Sequence, residues 1–94
     1  MRKFTWDELK NQQNYLKHCI SFRDAEIVFE SPTISFQDNR FDYGEERFIT
    51  LGELVGRVVV IVHTWREDSI RIISMRKANE REQKIYQERL KETR

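Results

Sequence analysis

Arg71 and Arg76 bracket the stretch Ile72-Ile73-Ser74-Met75, and a guanidinium within an apolar strand is costly to desolvate unless it meets an anion or another acceptor. Arg71 therefore reads either as the partner of a buried carboxylate or as a phosphate ligand. Regular strand alternation puts Arg76 on a face with Ile70, Ile72 and Ser74, and Arg71 on the other with Ile73 and Met75. Lys17-His18 closes a helix, where the macrodipole favours positive charge, so helix capping competes with a catalytic use of this pair. Arg47 opens a strand directly after Gly44-Glu45-Glu46, and an ordinary ion pair with either glutamate is open to it. Arg and Lys gathered about a phosphate, with His for proton transfer, suit metal-free RNA cleavage. In that reaction the ribose 2′-OH attacks the adjacent phosphorus, and cations stabilise the charge that develops. The chemistry fits these residues without being demanded by them.

Other constellations are missing. The sequence holds no Gly-rich phosphate loop, no Gly-x-Ser-x-Gly elbow and no His-Glu-x-x-His pair, and its two histidines lie far apart without helically spaced ligand partners. His63 shares a strand face with Val59 and Ile61 and reads as a core histidine. Glu82 reads as the capping-box partner of Asn79. Trp6 and the phenylalanines read as core, and Cys19 as a small apolar residue. A single cysteine allows no internal disulfide and no cysteine zinc site.

These side chains have a small frame to hold them. Ninety-four residues make one domain, spanning 1–94. Charged residues at 35% nearly match hydrophobic residues at 38%, a lean mixture whose burial a binding partner could complete. The net charge of +1 predicts no general affinity for nucleic acid. It is unevenly spread, with residues 1–56 carrying seven basic and ten acidic groups and residues 57–94 ten basic and six acidic, which leaves room for a local basic site. Val58 to Val62 is too short to span a bilayer, and Thr5-Trp6-Asp7 follows the basic start Met1-Arg2-Lys3 where a signal peptide needs an apolar stretch. A soluble cytoplasmic domain without a structural metal is the expectation.

The periodicity predicts an α-α-β-β-β-β-α order. Thr5 with Glu8 forms a capping signature, with Asp7 as the alternative cap, for a helix reaching about Lys17. Trp6, Leu9, Gln13 and Leu16 would make its inner stripe. A second helix starts at Ser21, buries Phe22, Ala25, Val28 and Phe29, and stops before Pro32. Strands are expected at Thr33–Phe36, Arg47–Leu51 (ended by Gly52), Arg57–Thr64 and Ile70–Met75, with a loop over Gln37–Glu46 and a turn over Trp65–Ser69. Short connections make the last three strands antiparallel. Asn79 then caps a charged helix with Ile85, Tyr86 and Leu90 on its inner side.

Phe4-x-Trp6-Asp7-x-x-Lys10, Asn14-x-x-Lys17-His18, Ile20-Ser21-Phe22-x-x-Ala25 and Val28-Phe29 form an ordered set in the first third of the chain. Glu46-Arg47, Leu51-Gly52, Val62-His63-Thr64 and Arg71-Ile72-Ile73-Ser74-x-Arg76-Lys77-Ala78-x-x-x-Glu82 continue it. Over about residues 4–86 the sequence closely resembles the BrnT toxins of bacterial type II toxin–antitoxin systems. The resemblance implies an α+β, RelE-like ribonuclease fold of helices on an antiparallel sheet of about four strands. It also implies metal-independent RNA cleavage that arrests translation, with no cofactor. Neutralisation would come from a ribbon-helix-helix antitoxin of the BrnA type, through which the complex meets operator DNA. By motif, Lys17, His18, Arg47 and Arg76 become the candidate catalytic residues, and Arg71 and Ser74 the candidate substrate-binding ones. Arg47 and Arg76 would hold the phosphate, with His18 or Lys17 moving a proton, all in one phosphate-sized hollow. Cys19 stands where the family usually has glycine, a residue suited to a left-handed helix end. Asn79 replaces a common threonine and should cap equally well. The competing function is a non-catalytic module that acts in a repressor complex with its antitoxin.

Overall fold

A computed structural model describes residues 3–92; Met1 and Arg2 of the basic start, and residues 93–94 of the 1–94 span, lie outside the described residues. The order is β1 (Lys3–Thr5), α1 (Glu8–His18), a 3₁₀ turn (Phe22–Asp24), α2 (Ala25–Glu30), β2 (Ile34–Asp38), β3 (Arg47–Leu54), β4 (Arg57–Arg66), β5 (Ser69–Lys77) and α3 (Glu80–Glu92). Among the described residues no helix is long and apolar enough to cross a membrane.

The class is α+β as expected, but the sheet is mixed and has five strands, in the order β1-β5-β4-β3-β2. β2 to β5 form antiparallel neighbours, while β1 joins the far edge parallel to β5, with Thr5 opposite Arg71. Thr5 therefore ends a strand, and Asp7 is the cap of α1, its Oδ1 accepting the Lys10 N–H at 3.2 Å. Strand pairing takes Thr5, and the capping role falls to the other acceptor within reach.

The inner face of α1 also differs from the expected stripe. Leu9 and Leu16 are 63% and 84% exposed, whereas Asn11 and Asn14 are buried. Asn11 Oδ1 accepts the Phe22 N–H at 2.8 Å. Asn14 Nδ2 donates to the Met75 and Ile20 carbonyls at 2.9 and 3.1 Å, and its Oδ1 accepts the Met75 N–H at 3.2 Å. The Asn14 amide thus acts as a short stretch of strand along the β5 edge beyond the end of β1. Two amides matched to backbone groups win the buried face over two leucines because an unpaired buried peptide group costs more than an exposed leucine side chain.

Two layers cover the sheet. On one face Phe22, Ala25 and Val28 pack with Val59, Ile61, Ile70, Ile72 and Met75. On the other, α3 lays Tyr86 and Leu90 against Leu51, Val60, Ile34 and Ile49, and the Tyr86 hydroxyl donates to the Pro32 carbonyl at 2.6 Å. Gly52 does not end β3. The strand continues to Leu54, and the hairpin turns at Val55-Gly56, both at positive φ. Gly52 is required by the approach of α2, since a Cβ there would sit 2.7 Å from Val28 Cγ1, 3.0 Å from Ser31 Oγ and 3.1 Å from Thr33 Cγ2. Gly52→Ala is expected to destabilise the fold by about 1–3 kcal/mol, read as a lower urea midpoint at unchanged slope. β4 likewise runs on through Trp65 and Arg66, leaving Glu67 and Asp68 for the turn.

Candidate active site

The β4–β5 register shifts at Val62/His63: Val62 pairs with Ser74 and His63 with Ile72, so Ile73 is an extra residue in β5. This bulge overturns the simple alternation expected for β5. Ile72 and Met75 both enter the core under α2. Arg71, Ser74 and Arg76, opposite Thr64, Val62 and Val60, all lie on the other face. Arg47 shares that face, being two residues from Ile49 and four from Leu51, which itself pairs with Val60. Four of the six expected site residues thus stand on the α3 side of the sheet.

They stand at two ends of it. Arg47 and Arg71 flank Thr64, whereas Arg76 lies in the Leu51–Val60 row with Ser74 one row away. Strand spacing puts the Cα atoms of Arg47 and Arg76 about 16 Å apart, so their guanidinium groups share one phosphate only when both side chains extend toward each other. Lys17 and His18 belong to the Arg76 end. α1 follows β5 from the Thr5–Arg71 pair past Asn14 at Met75, and His18, about 6 Å further along the helix, comes level with the last residues of β5. Cys19 and Ile20 meet Val59, the partner of Lys77, in a shallow hollow with Leu54, Val55 and Arg57. Cys19 is exposed and holds the left-handed conformation at φ 56°, so the glycine-like helix end forms without glycine. His18 is half-buried and Lys17 exposed, and neither has a hydrogen bond or ion pair among the described residues.

The cations differ in how they are held. Both terminal nitrogens of Arg76 donate to Glu82, each at 2.8 Å. Glu82 also completes the capping box with Asn79, accepting its N–H at 2.9 Å while Asn79 Oδ1 accepts the Glu82 N–H at 2.8 Å. The first turn of α3 therefore fixes where Arg76 points. The pairing holds the Glu82 carboxyl below its ordinary range and raises Arg76. Arg47 meets Glu45 at 3.5 Å, too long for a hydrogen bond, and its guanidinium lies 4.0 Å over the Tyr43 ring. Its Nε is buried without a hydrogen-bond partner. Arg71 is half-buried and unpaired among the described residues.

Three further residues belong to this site and were not singled out in the sequence. Buried Asp38 accepts from Arg40 Nε and Nη2 at 2.8 and 2.9 Å and from the Tyr43 hydroxyl at 3.1 Å. The Arg40 bonds, chief among these, lower the Asp38 carboxyl to about 2. The charge of Arg40 also acts weakly on both Arg76 and Glu82. The available signal was two aromatics, Phe41 and Tyr43, in an otherwise polar loop.

His63 is in the core, as expected, under Phe29, Phe48 and Trp65. Its Nε2 is 2.7 Å from Thr50 Oγ1, which is 2.7 Å from Ser35 Oγ, while Nδ1 has no partner. Burial pushes its pKa down to about 4. The unfolded chain therefore binds the extra proton between pH 6.5 and 4, and stability falls as pH drops through that window. The loss is expected to reach about 3 kcal/mol and to flatten in His63→Gln, measured by urea unfolding from pH 7 to 4.

No cluster of three or more His, Cys, Asp or Glu that could hold a metal is found among the described residues. What the face offers is guanidinium groups at two ends and a serine hydroxyl between them, while the turn that follows His18 packs against Val59 on the opposite face. A family model described as ribonuclease toxin, BrnT, of type II toxin-antitoxin system matches residues 6–82. No curated protein sequence matches the chain.

Proposed function

From the premise that the chain belongs to the BrnT family of ribonuclease toxins, we propose that it cleaves RNA endonucleolytically, without a metal ion, on the sheet face carrying Arg47, Arg71, Ser74 and Arg76. The bulge at Ile73 is the observation that carries this reading, because it brings Arg71, Ser74 and Arg76 onto the face that Arg47 occupies. Arg76 stabilises the phosphate under attack, with Ser74 beside it. Arg47 and Arg71, at the other end, hold a neighbouring stretch of the sugar–phosphate backbone. The ribose 2′-oxygen gives up its proton and attacks phosphorus, and the bond to the 5′-oxygen breaks as that oxygen gains a proton. The products are a 2′,3′-cyclic phosphate and a 5′-hydroxyl. His18 or Lys17, at the Arg76 end, moves the proton.

Type II toxin family membership implies an antitoxin partner. We assign that role to a ribbon-helix-helix protein of the BrnA type, which also carries the complex to operator DNA, and read residues 1–94 as one toxin domain. RNA cleavage in the cell arrests translation. The deciding experiment incubates antitoxin-free protein with RNA in EDTA, beside Arg76→Ala and His18→Ala. Intact RNA with folded wild-type protein defeats the ribonuclease reading and leaves a repressor-complex role, which the closure of Arg76 by Glu82 would suit. Undiminished cleavage by both variants defeats the site.

A further inference from the structure

Phe4, Phe22, Phe29, Phe36 and Phe48 are buried or half-buried on the sheet, whereas Phe41 is 69% exposed in the loop between β2 and β3. Its ring is braced all the same. It meets Tyr43 at 5.8 Å between centroids and at 75°. The Tyr43 hydroxyl is tied to buried Asp38, and the Tyr43 ring carries Arg47 at 4.0 Å. Phe41 is thus two contacts away from a guanidinium of the candidate site.

The loop's carboxylates mostly close inward. Asp38 is taken by Arg40, Asp42 by the Gly44 N–H at 3.0 Å, and Glu45 lies against Arg47 and Arg66 at 3.5 and 3.4 Å. From Asp38 to Arg47 the segment carries four carboxylates and two guanidinium groups, so attraction for a polyanion does not come from the loop tip. What the tip presents to solvent is a flat apolar ring two contacts from the Arg47 guanidinium. That pairing suits a single-stranded nucleotide, whose base stacks on an aromatic face while its phosphate meets arginine.

We propose that Phe41 stacks on an unpaired nucleobase whose backbone phosphate is held by Arg47 and Arg71. This rests on the ribonuclease reading and adds to it: the substrate is single-stranded RNA, gripped beside as well as at the scissile phosphate. Stacking that is equal in ground and transition states acts on KM and leaves kcat unchanged.

The test is steady-state cleavage of a single-stranded oligoribonucleotide in EDTA at physiological salt. Phe41→Ala is expected to raise KM by about 10- to 100-fold with kcat within threefold, and Phe41→Trp to restore it. A matched probe with one abasic residue, walked through the positions next to the cut, supplies the partner deletion. At one position the wild type should lose the same factor, and Phe41→Ala should lose nothing more. An unchanged KM, or a penalty that is the same on abasic and intact probes at every position, overturns the proposal. If wild-type protein cleaves nothing, the ribonuclease reading fails separately; the probes' dissociation constants then replace KM, and the same comparison decides the stacking. Weakened antitoxin binding with unchanged RNA affinity also overturns it, assigning the ring to a protein contact.

Discussion

Arg76→Ala is expected to cleave single-stranded RNA about 100- to 1,000-fold more slowly than wild type while remaining folded. The size follows from the role proposed for Arg76, a charged, forked donor that would meet the negative charge building at phosphorus, and its confinement to the rate follows from the surroundings. Arg76 and Glu82 are 39% and 23% exposed at their side chains, so the ion pair itself contributes about 0–1 kcal/mol to stability. Without Arg76, Glu82 still accepts the Asn79 N–H and keeps α3 capped. Arg76→Lys should recover only part of the rate, since an ammonium group keeps the charge and loses the two-pronged geometry that Glu82 now occupies in place of phosphate. Initial rates in EDTA, with a thermal melt of each variant, check this. A rate within threefold of wild type in a folded Arg76→Ala protein sinks the assignment.

The same arginine shows how far the sequence could be read. That Arg71 and Arg76 sit in a strand was legible from the β-branched run around them. That they share a face was not, because the extra residue at Ile73 comes from the fit of β5 to β4 and carries no Gly or Pro marker. The Asn79–Glu82 capping box was legible because both its bonds are local, and it formed as expected. The second duty of Glu82, on Arg76, depends on the end of β5 meeting the start of α3, which spacing alone does not set. Helical periodicity correctly buried Phe22, Ala25 and Val28, and failed on α1 because it ranks leucine above asparagine. β1 escaped for a related reason: three residues pairing in parallel with a strand more than sixty positions later leave no local trace.

Asn14→Ala is expected to cost the fold about 3 kcal/mol, which corresponds to about 4–8 °C in Tm for each kcal/mol in a domain of this size. Truncating the side chain strands the Met75 N–H and carbonyl and the Ile20 carbonyl, which its amide now satisfies at 2.9–3.2 Å. Asn14→Leu separates hydrogen bonding from packing, because leucine restores the volume and none of the bonds. If the amide matters for its polarity, Leu should be no better than Ala. Recovery by Leu would mean that α1 is held by apolar contact after all. The consequence reaches the site, since His18 lies one turn beyond Asn14 on the same side of α1 and has no partner of its own among the described residues to hold it. At temperatures where Asn14→Ala is still folded, its cleavage rate should therefore fall further than its folded fraction. Arg47 on β3, and Arg71, held by its pairing with Thr5 at the end of β5 away from Asn14, should keep their grip on RNA and leave KM unchanged.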